Sequence, residues 1–295
     1  MKLPIPWGRL SRRNARQLVA FLILVGVVLY VRSLLEADEK IQSWEQPLDV
    51  AVIQLTPDET PIPDEFTRTF FAPSSYPADR GTSLHAIPRW LRDESVRLTG
   101  RDRTLIRFHL FGPTVFREPP PKPSDSFFGR IVAGFSFRSY LKRVATAASV
   151  DLSKFLVKLV LVYYSPGKPV DKHSDSYGSF RDHAGLVYVP TAIADIPYNV
   201  AEITHELMHT FGAKDKYDGR ATVFPGGYAE PFKAPLLPQR FAEVMAGEIP
   251  LAPNRLRPVR GLDELRVGHE TALEIGWLDD ETVRRYYKGG RRTRE

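Results

Sequence analysis

His205-Glu206-Leu207-Met208-His209, preceded by the largely apolar run Pro197–Thr204 and followed by Thr210-Phe211-Gly212-Ala213-Lys214-Asp215-Lys216-Tyr217, decides the reading of this chain. Two histidines four apart on a helix lie one turn above each other on the same face, so both imidazoles can reach one ion. The glutamate next to the first histidine sits beside that ion without ligating it, placed to take a proton from a water there. The apolar run before the motif leads into it as a buried helix would. A chance match on a charged surface helix would not be introduced that way.

The residues after His209 extend the pattern. Gly212 lies three residues past His209 and Asp215 three beyond that. A glycine there can end the helix in a left-handed conformation and turn the chain back, bringing position 215 toward the open side of the two histidines. Carboxylate oxygen is an ordinary zinc ligand, so His205, His209 and Asp215 make a sound set of three with a fourth position left for water. Two alternatives stay open from the residues alone. Asp215 can cap a loop while Asp218 or a distant glutamate completes the site, and Glu270 in Gly-His-Glu-Thr-Ala-Leu-Glu is the candidate glutamate on a later helix.

The whole motif, HExxHxxGxxD with Asp215-Lys216-Tyr217, resembles the metzincin metalloproteases, and within them the snapalysin-like members that use Asp followed two residues on by Tyr. A second point of resemblance is Ala242-Glu243-Val244-Met245-Ala246-Gly247, thirty residues downstream of Asp215. Metzincins carry a methionine turn there, and a thioether suits an irregular gap beneath a rigid site. The motif resemblance covers residues 202–217 and 242–247. It implies an α/β (α+β) zincin domain: a mixed twisted sheet, an active-site helix, a methionine turn and a C-terminal helix. It also implies one catalytic Zn2+ and a zinc-dependent endopeptidase acting on protein or peptide substrates. In that reading Glu206 is the general base, and Tyr217 can donate to the tetrahedral oxyanion. Matrix-type metzincins hold a structural zinc in a loop comparable to that carrying His173, Asp175 and His183. Val187 or Tyr188 fills the strand position where another histidine is needed, so a polar loop is the expectation.

Around this core the sequence suggests a strand in Asp49–Leu55, a short helix over Pro88–Leu98, a strand over Arg103–Phe111 and a helix over Phe137–Val150. A central strand comes next at Phe155–Tyr164, then a short edge strand at Leu186–Val189 on which an extended peptide would pair, and a last helix over Asp263–Trp277. Residues 48–280 are read as the catalytic domain. The N-terminus reads as an address: a basic cytoplasmic segment over 1–16, then a signal anchor or transmembrane helix over 17–35, with a cleaved signal peptide as second choice. Residues 36–47 would be a stalk and 281–295 a basic disordered tail. The catalytic domain would then face the periplasm or the extracellular space.

The net charge of +6 does not describe a nucleic-acid groove. Residues 1–32 carry six basic and no acidic side chains, and the stretch from Arg284 to the C-terminus is again strongly basic, leaving 33–283 at −5. A domain so balanced is no basic surface for phosphates. Cysteine is absent, so disulfides do not hold the domain and no propeptide cysteine can block a zinc. The competing functional class is a zinc-binding but non-catalytic membrane-anchored interaction domain. It has no use for Glu206.

Overall fold

Val157–Tyr164, apolar on both faces except at Lys158, becomes β3, the middle strand of a five-stranded mixed sheet. A computed structural model of the chain describes residues 12–121, 127–165, 176–219 and 221–292. The elements run α1 Arg12–Ser43, β1 Leu48–Thr56, α2 Asp64–Phe70, α3 Ile87–Thr99, β2 Ile106–Val115, α4 Phe127–Ala147, β3, β4 Tyr177–Ser179, β5 Ala184–Pro190 and α5 Ile196–Thr210. Beyond α5 come short pairs of strands: β6 Tyr217–Asp218 with β7 Ala221–Thr222, and β9 Glu248–Ala252 with β10 Arg255–Pro258. β8 Ala242–Glu243 pairs with β11 Leu265–Arg266, and the chain closes with α6 His269–Glu274 and α7 Asp280–Arg292.

The sheet order is β2-β1-β3-β5-β4, parallel except for β4, which runs antiparallel to β5 on the outer edge. Side chains alternate across a strand, so β1, β3 and β5 each feed two cores. Val50, Val52, Leu159, Leu161, Val187 and Val189 pack with Phe66 and Phe70 of α2, Trp90 of α3 and Val200, Ile203 and Leu207 of α5. Ile53, Leu55, Val160, Val162 and Leu186 pack on the other face with Phe137, Tyr140, Leu141 and Val144 of α4. Asp49–Leu55 alternates in sequence but is buried on both faces, because β1 lies inside the sheet. Its polar Gln54 is accommodated by a hydrogen bond from Tyr163 Oη at 3.2 Å.

Several expected boundaries shift. Two compact units divide at residue 40, and the second begins at Ile41, not at 48. The expected stalk over 36–47 is helical through Ser43. Ile41 and Trp44, three apart, are fully buried, and Trp44 Nε1 donates to the Ile275 carbonyl at 2.6 Å. Trp44 also meets Phe211 and Trp277 edge to face. The polar neighbours of these two residues hid their anchoring role. The tail from 281, expected to be disordered, forms most of α7 as far as Arg292. The single helix expected over Asp263–Trp277 is replaced in its first part by a short turn and β11, which pairs with β8, leaving only α6. Sequence reading passed over α2 and β4 altogether.

Among the described residues no helix is long and apolar enough to cross a membrane. The span expected over 17–35 lies within α1, but its uninterrupted apolar run, Leu18–Val31, would measure about 21 Å against a hydrocarbon core of about 30 Å. Arg32 ends that run and pairs with Glu36 at 2.8 Å on the helix surface. Of the residues considered for a second metal site, His173 and Asp175 lie outside the described residues. His183 is buried, with a positive φ of 46°, in the turn before β5.

Candidate metal centre

The candidate metal site is built on α5. Ile203, Leu207 and Met208 point into the core and fix the rotation of the helix. His205, Glu206 and His209 are thereby carried toward the opposite side, buried or nearly so. The sheet edge comes close because Gly178 of β4 has no side chain. A Cβ there would meet the Glu206 carbonyl oxygen at 2.4 Å and His209 Cβ at 2.5 Å. The helix ends as the sequence suggested. Gly212 has φ +107°, and the amide of Ala213 returns to the Met208 carbonyl at 3.1 Å. An added Cβ on Gly212 would also crowd Gln42 Nε2 at 3.0 Å and the Glu274 carbonyl at 3.1 Å.

The returning chain brings Asp215 to the two imidazoles. Asp215 Oδ1 lies 3.1 Å from His205 Nε2 and 3.2 Å from His209 Nε2. Donor atoms of these three residues all fall within 4.8 Å of one another, and this group could hold a metal ion. It is the one such group among the described residues, so the sequence-expected ligands are brought together as a set. Asp218 is not part of it. Neither is Glu270, the alternative third ligand, whose carboxylate packs over Gly226 and hydrogen-bonds Tyr287 instead.

The donor chemistry fits an ion. Each imidazole is oriented from behind: the Val244 carbonyl accepts from His205 Nδ1 at 3.0 Å, and the Ala213 carbonyl accepts from His209 Nδ1 at 2.8 Å. Those bonds place the proton on Nδ1 and leave Nε2 as the lone-pair donor. Without an ion, burial works against a charged His205, but the hydrogen bond to Asp215 and the charge of Glu206 outweigh it and push its pKa up to about 9. Burial likewise opposes ionisation of Asp215, and the two imidazoles overcome it to hold the carboxyl far below its usual range.

Glu206 is 4 % exposed, and its Oε2 is buried without a hydrogen-bond partner. Burial pushes its pKa up to about 7, against the pull of both histidines. Tyr217 stands over the site half-exposed, its ring 6.4 Å from that of His205 and near parallel, with its hydroxyl bonded to Asp215. Burial first and then the Asp215 charge push that hydroxyl up to about 12. Tyr217 therefore stays protonated and able to donate at neutral pH. A cavity of about 560 Å³ opens beside these residues, lined by His205, Glu206, Tyr217 and residues of β5, α5 and the Val244–Glu248 turn.

Met245 is fully buried, in the same core cluster as Met208, Phe211 and Val244. Its turn is tied to the metal loop by the Lys216 amide, which donates to the Met245 carbonyl at 2.9 Å. Two supporting carboxylates, Glu243 and Glu274, were not found from sequence. Glu243, fully buried, accepts from the Met245 amide at 2.6 Å, the Gly268 amide at 3.0 Å and Thr271 Oγ1 at 2.7 Å. Glu274 accepts from the Lys214 amide at 2.9 Å and from buried Lys216 Nζ at 2.6 Å, bracketing Asp215 on both sides. The available signal was a charged residue set among apolar neighbours, which sequence alone does not distinguish from a solvated one.

Replacing Glu243 by alanine is expected to leave three donors unmet, two of them in buried bonds, costing roughly 2–5 kcal/mol of stability. Because Glu243 steadies the turn whose Val244 carbonyl orients His205, zinc affinity is expected to fall about 10- to 100-fold. Urea unfolding and competitive Zn2+ titration of the chain, with and without the substitution, check both. Unchanged zinc affinity would confine Glu243 to a stability role.

Compared with protein-family models the chain matches none, and comparison with curated proteins gives no match.

Proposed function

We propose that this protein is a zinc-dependent endopeptidase of the metzincin type. The observation that carries the reading is the convergence of His205 Nε2, His209 Nε2 and Asp215 Oδ1 beside the unpartnered buried carboxylate of Glu206. The motif resemblance, the buried Met245 turn and the mixed sheet with an antiparallel edge strand are consistent with it. A structural ion alone would not call for an unpartnered buried glutamate at an open cavity.

When bound, a zinc ion supplies Lewis acidity, making water acidic near neutral pH and polarising a carbonyl. The chain's own residues do the rest. Glu206 takes the proton of the attacking water at Oε2. As the C–N bond breaks it delivers that proton to the leaving nitrogen. Tyr217 donates from its hydroxyl to the oxygen that gains charge during attack.

The strand expected to receive an extended substrate, Leu186–Val189, is partly covered, since Leu186 pairs with Tyr177. The open edge belongs to β4, so in this reading the peptide adds there by main-chain hydrogen bonds. The basic and then apolar order of the N-terminus motivates an exported location for the second unit, through an export signal or an anchor.

The test is hydrolysis of unstructured protein substrate by the purified full chain. Cleavage is expected to stop on chelation and to return with stoichiometric Zn2+. Hydrolysis indifferent to chelation, or no hydrolysis with one zinc bound, would overturn the proposal.

A further inference from the structure

The wall of the cavity beside Glu206 carries chemistry that the hydrolytic step does not use. Glu202 lies on α5 one turn before His205 and Glu206, and Glu248 begins β9 just past the Met245 turn. Both line the cavity from different elements, and Tyr164, Tyr188, Tyr198, Val259 and Leu265 also line it. Among the described residues the lining holds three glutamates and no lysine or arginine. Neither Glu202 nor Glu248 makes an ion pair with a described residue.

The deepest of the three acids, Glu206, is over nine-tenths buried with an oxygen unpartnered, so the negative charge reaches the floor of the cavity. Tyr198 registers the same field. Partial burial and the nearby Glu202, Glu206 and Glu248 carboxylates together push its hydroxyl well above the ordinary range. Charge counting keeps the cavity negative even with its ion in place, since a dication stands against Asp215, Glu206, Glu202 and Glu248. Such a cavity repels acidic side chains and rewards a cation that can lie along tyrosine faces with its charge between carboxylates.

We propose that this cavity is a specificity pocket for a lysine or arginine side chain adjacent to the bond being cut, with Glu202 and Glu248 as the charge-reading residues. The long apolar stem of either side chain suits the Tyr, Val259 and Leu265 lining, while the head group meets the two carboxylates. The inference rests on the peptidase reading for its substrate but not for its binding chemistry.

The test uses the zinc-loaded full chain and otherwise identical labelled peptides carrying lysine, arginine, norleucine, citrulline or glutamate at one position flanking the scissile bond. Lysine over norleucine and arginine over citrulline are expected to be favoured about tenfold in kcat/KM, a single charge-assisted contact. In the double variant E202Q/E248Q that ratio is expected to fall toward one. Equal rates for charged and neutral peptides in the unaltered protein would overturn the pocket assignment whatever the variant does. So would a ratio that persists in a folded double variant.

If no peptide is cleaved, the peptidase reading fails separately, and anisotropy of the same peptides on the unaltered chain decides the pocket. Tighter binding of the cationic peptides supports it, and indifference to charge overturns it.

Discussion

Substituting Glu206 by glutamine is expected to lower peptide hydrolysis by about 10²- to 10⁴-fold, roughly 3–5 kcal/mol in the barrier, while the chain still binds one zinc. The side chain is nearly isosteric, so packing against its 4 % exposed surroundings is kept. What is lost is an oxygen able to accept and return a proton. Glu206 is not a member of the His205, His209, Asp215 group, so the ligand set is untouched. The measurement is kcat/KM beside zinc content on the same preparation. Full activity in the variant would remove the general base from the mechanism, and loss of zinc along with activity would make Glu206 a ligand. A protein in which the ion is purely structural predicts neither rate nor zinc to change.

The residues behind that expectation were legible because helix geometry is local. A four-residue spacing fixes His205 and His209 on one face regardless of the rest of the fold, and Gly212 marks the turn that returns Asp215. β3 was legible for a similar reason, since a central strand is apolar on both faces, whereas β5 was read as an edge strand and lies inside the sheet, with β4 outside it. What escaped depends on contacts far apart in the chain. Glu243 and Glu274 read as ordinary charges until Gly268, Thr271 and Lys216 are seen to donate to them. Trp44 reads as part of a polar stalk until Ile275 and Phe211 surround it. β4 is three residues long, and its role at the sheet edge is set by Gly178 lying against α5, not by any periodicity.

These long-range braces share one target. Glu274 holds Lys214 and Lys216 on either side of Asp215, while Gln42 Nε2 donates to the Glu274 carbonyl at 2.9 Å from the end of α1. Glu243 and the Val244 carbonyl fix the ring of His205 from the other side. The exposed ligand, Asp215, is therefore held through its neighbours and not through its own packing. That arrangement leaves one side of the three donors open to solvent and substrate while limiting how far the loop can drift.

Asp215→Ala is for that reason the most informative ligand change. Removing its oxygen leaves two imidazoles, too few to close a zinc site, and affinity is expected to drop by more than about 100-fold, beyond the range typical for outer-shell changes. Asp215 is 43 % exposed at its side chain, so the fold itself should tolerate alanine. Glu270→Ala is the matched control, because its carboxylate packs over Gly226 and binds Tyr287 away from the three donors. One zinc per chain in the Glu270 variant and none in the Asp215 variant, at micromolar free zinc, is the expected pair of results. Zinc kept in the Asp215 variant and lost in the Glu270 variant would mean that the third ligand comes from α6. The loop after Gly212 would then serve only to close the helix, and the short Asp215 contacts would reflect a charged pair and not a coordination sphere.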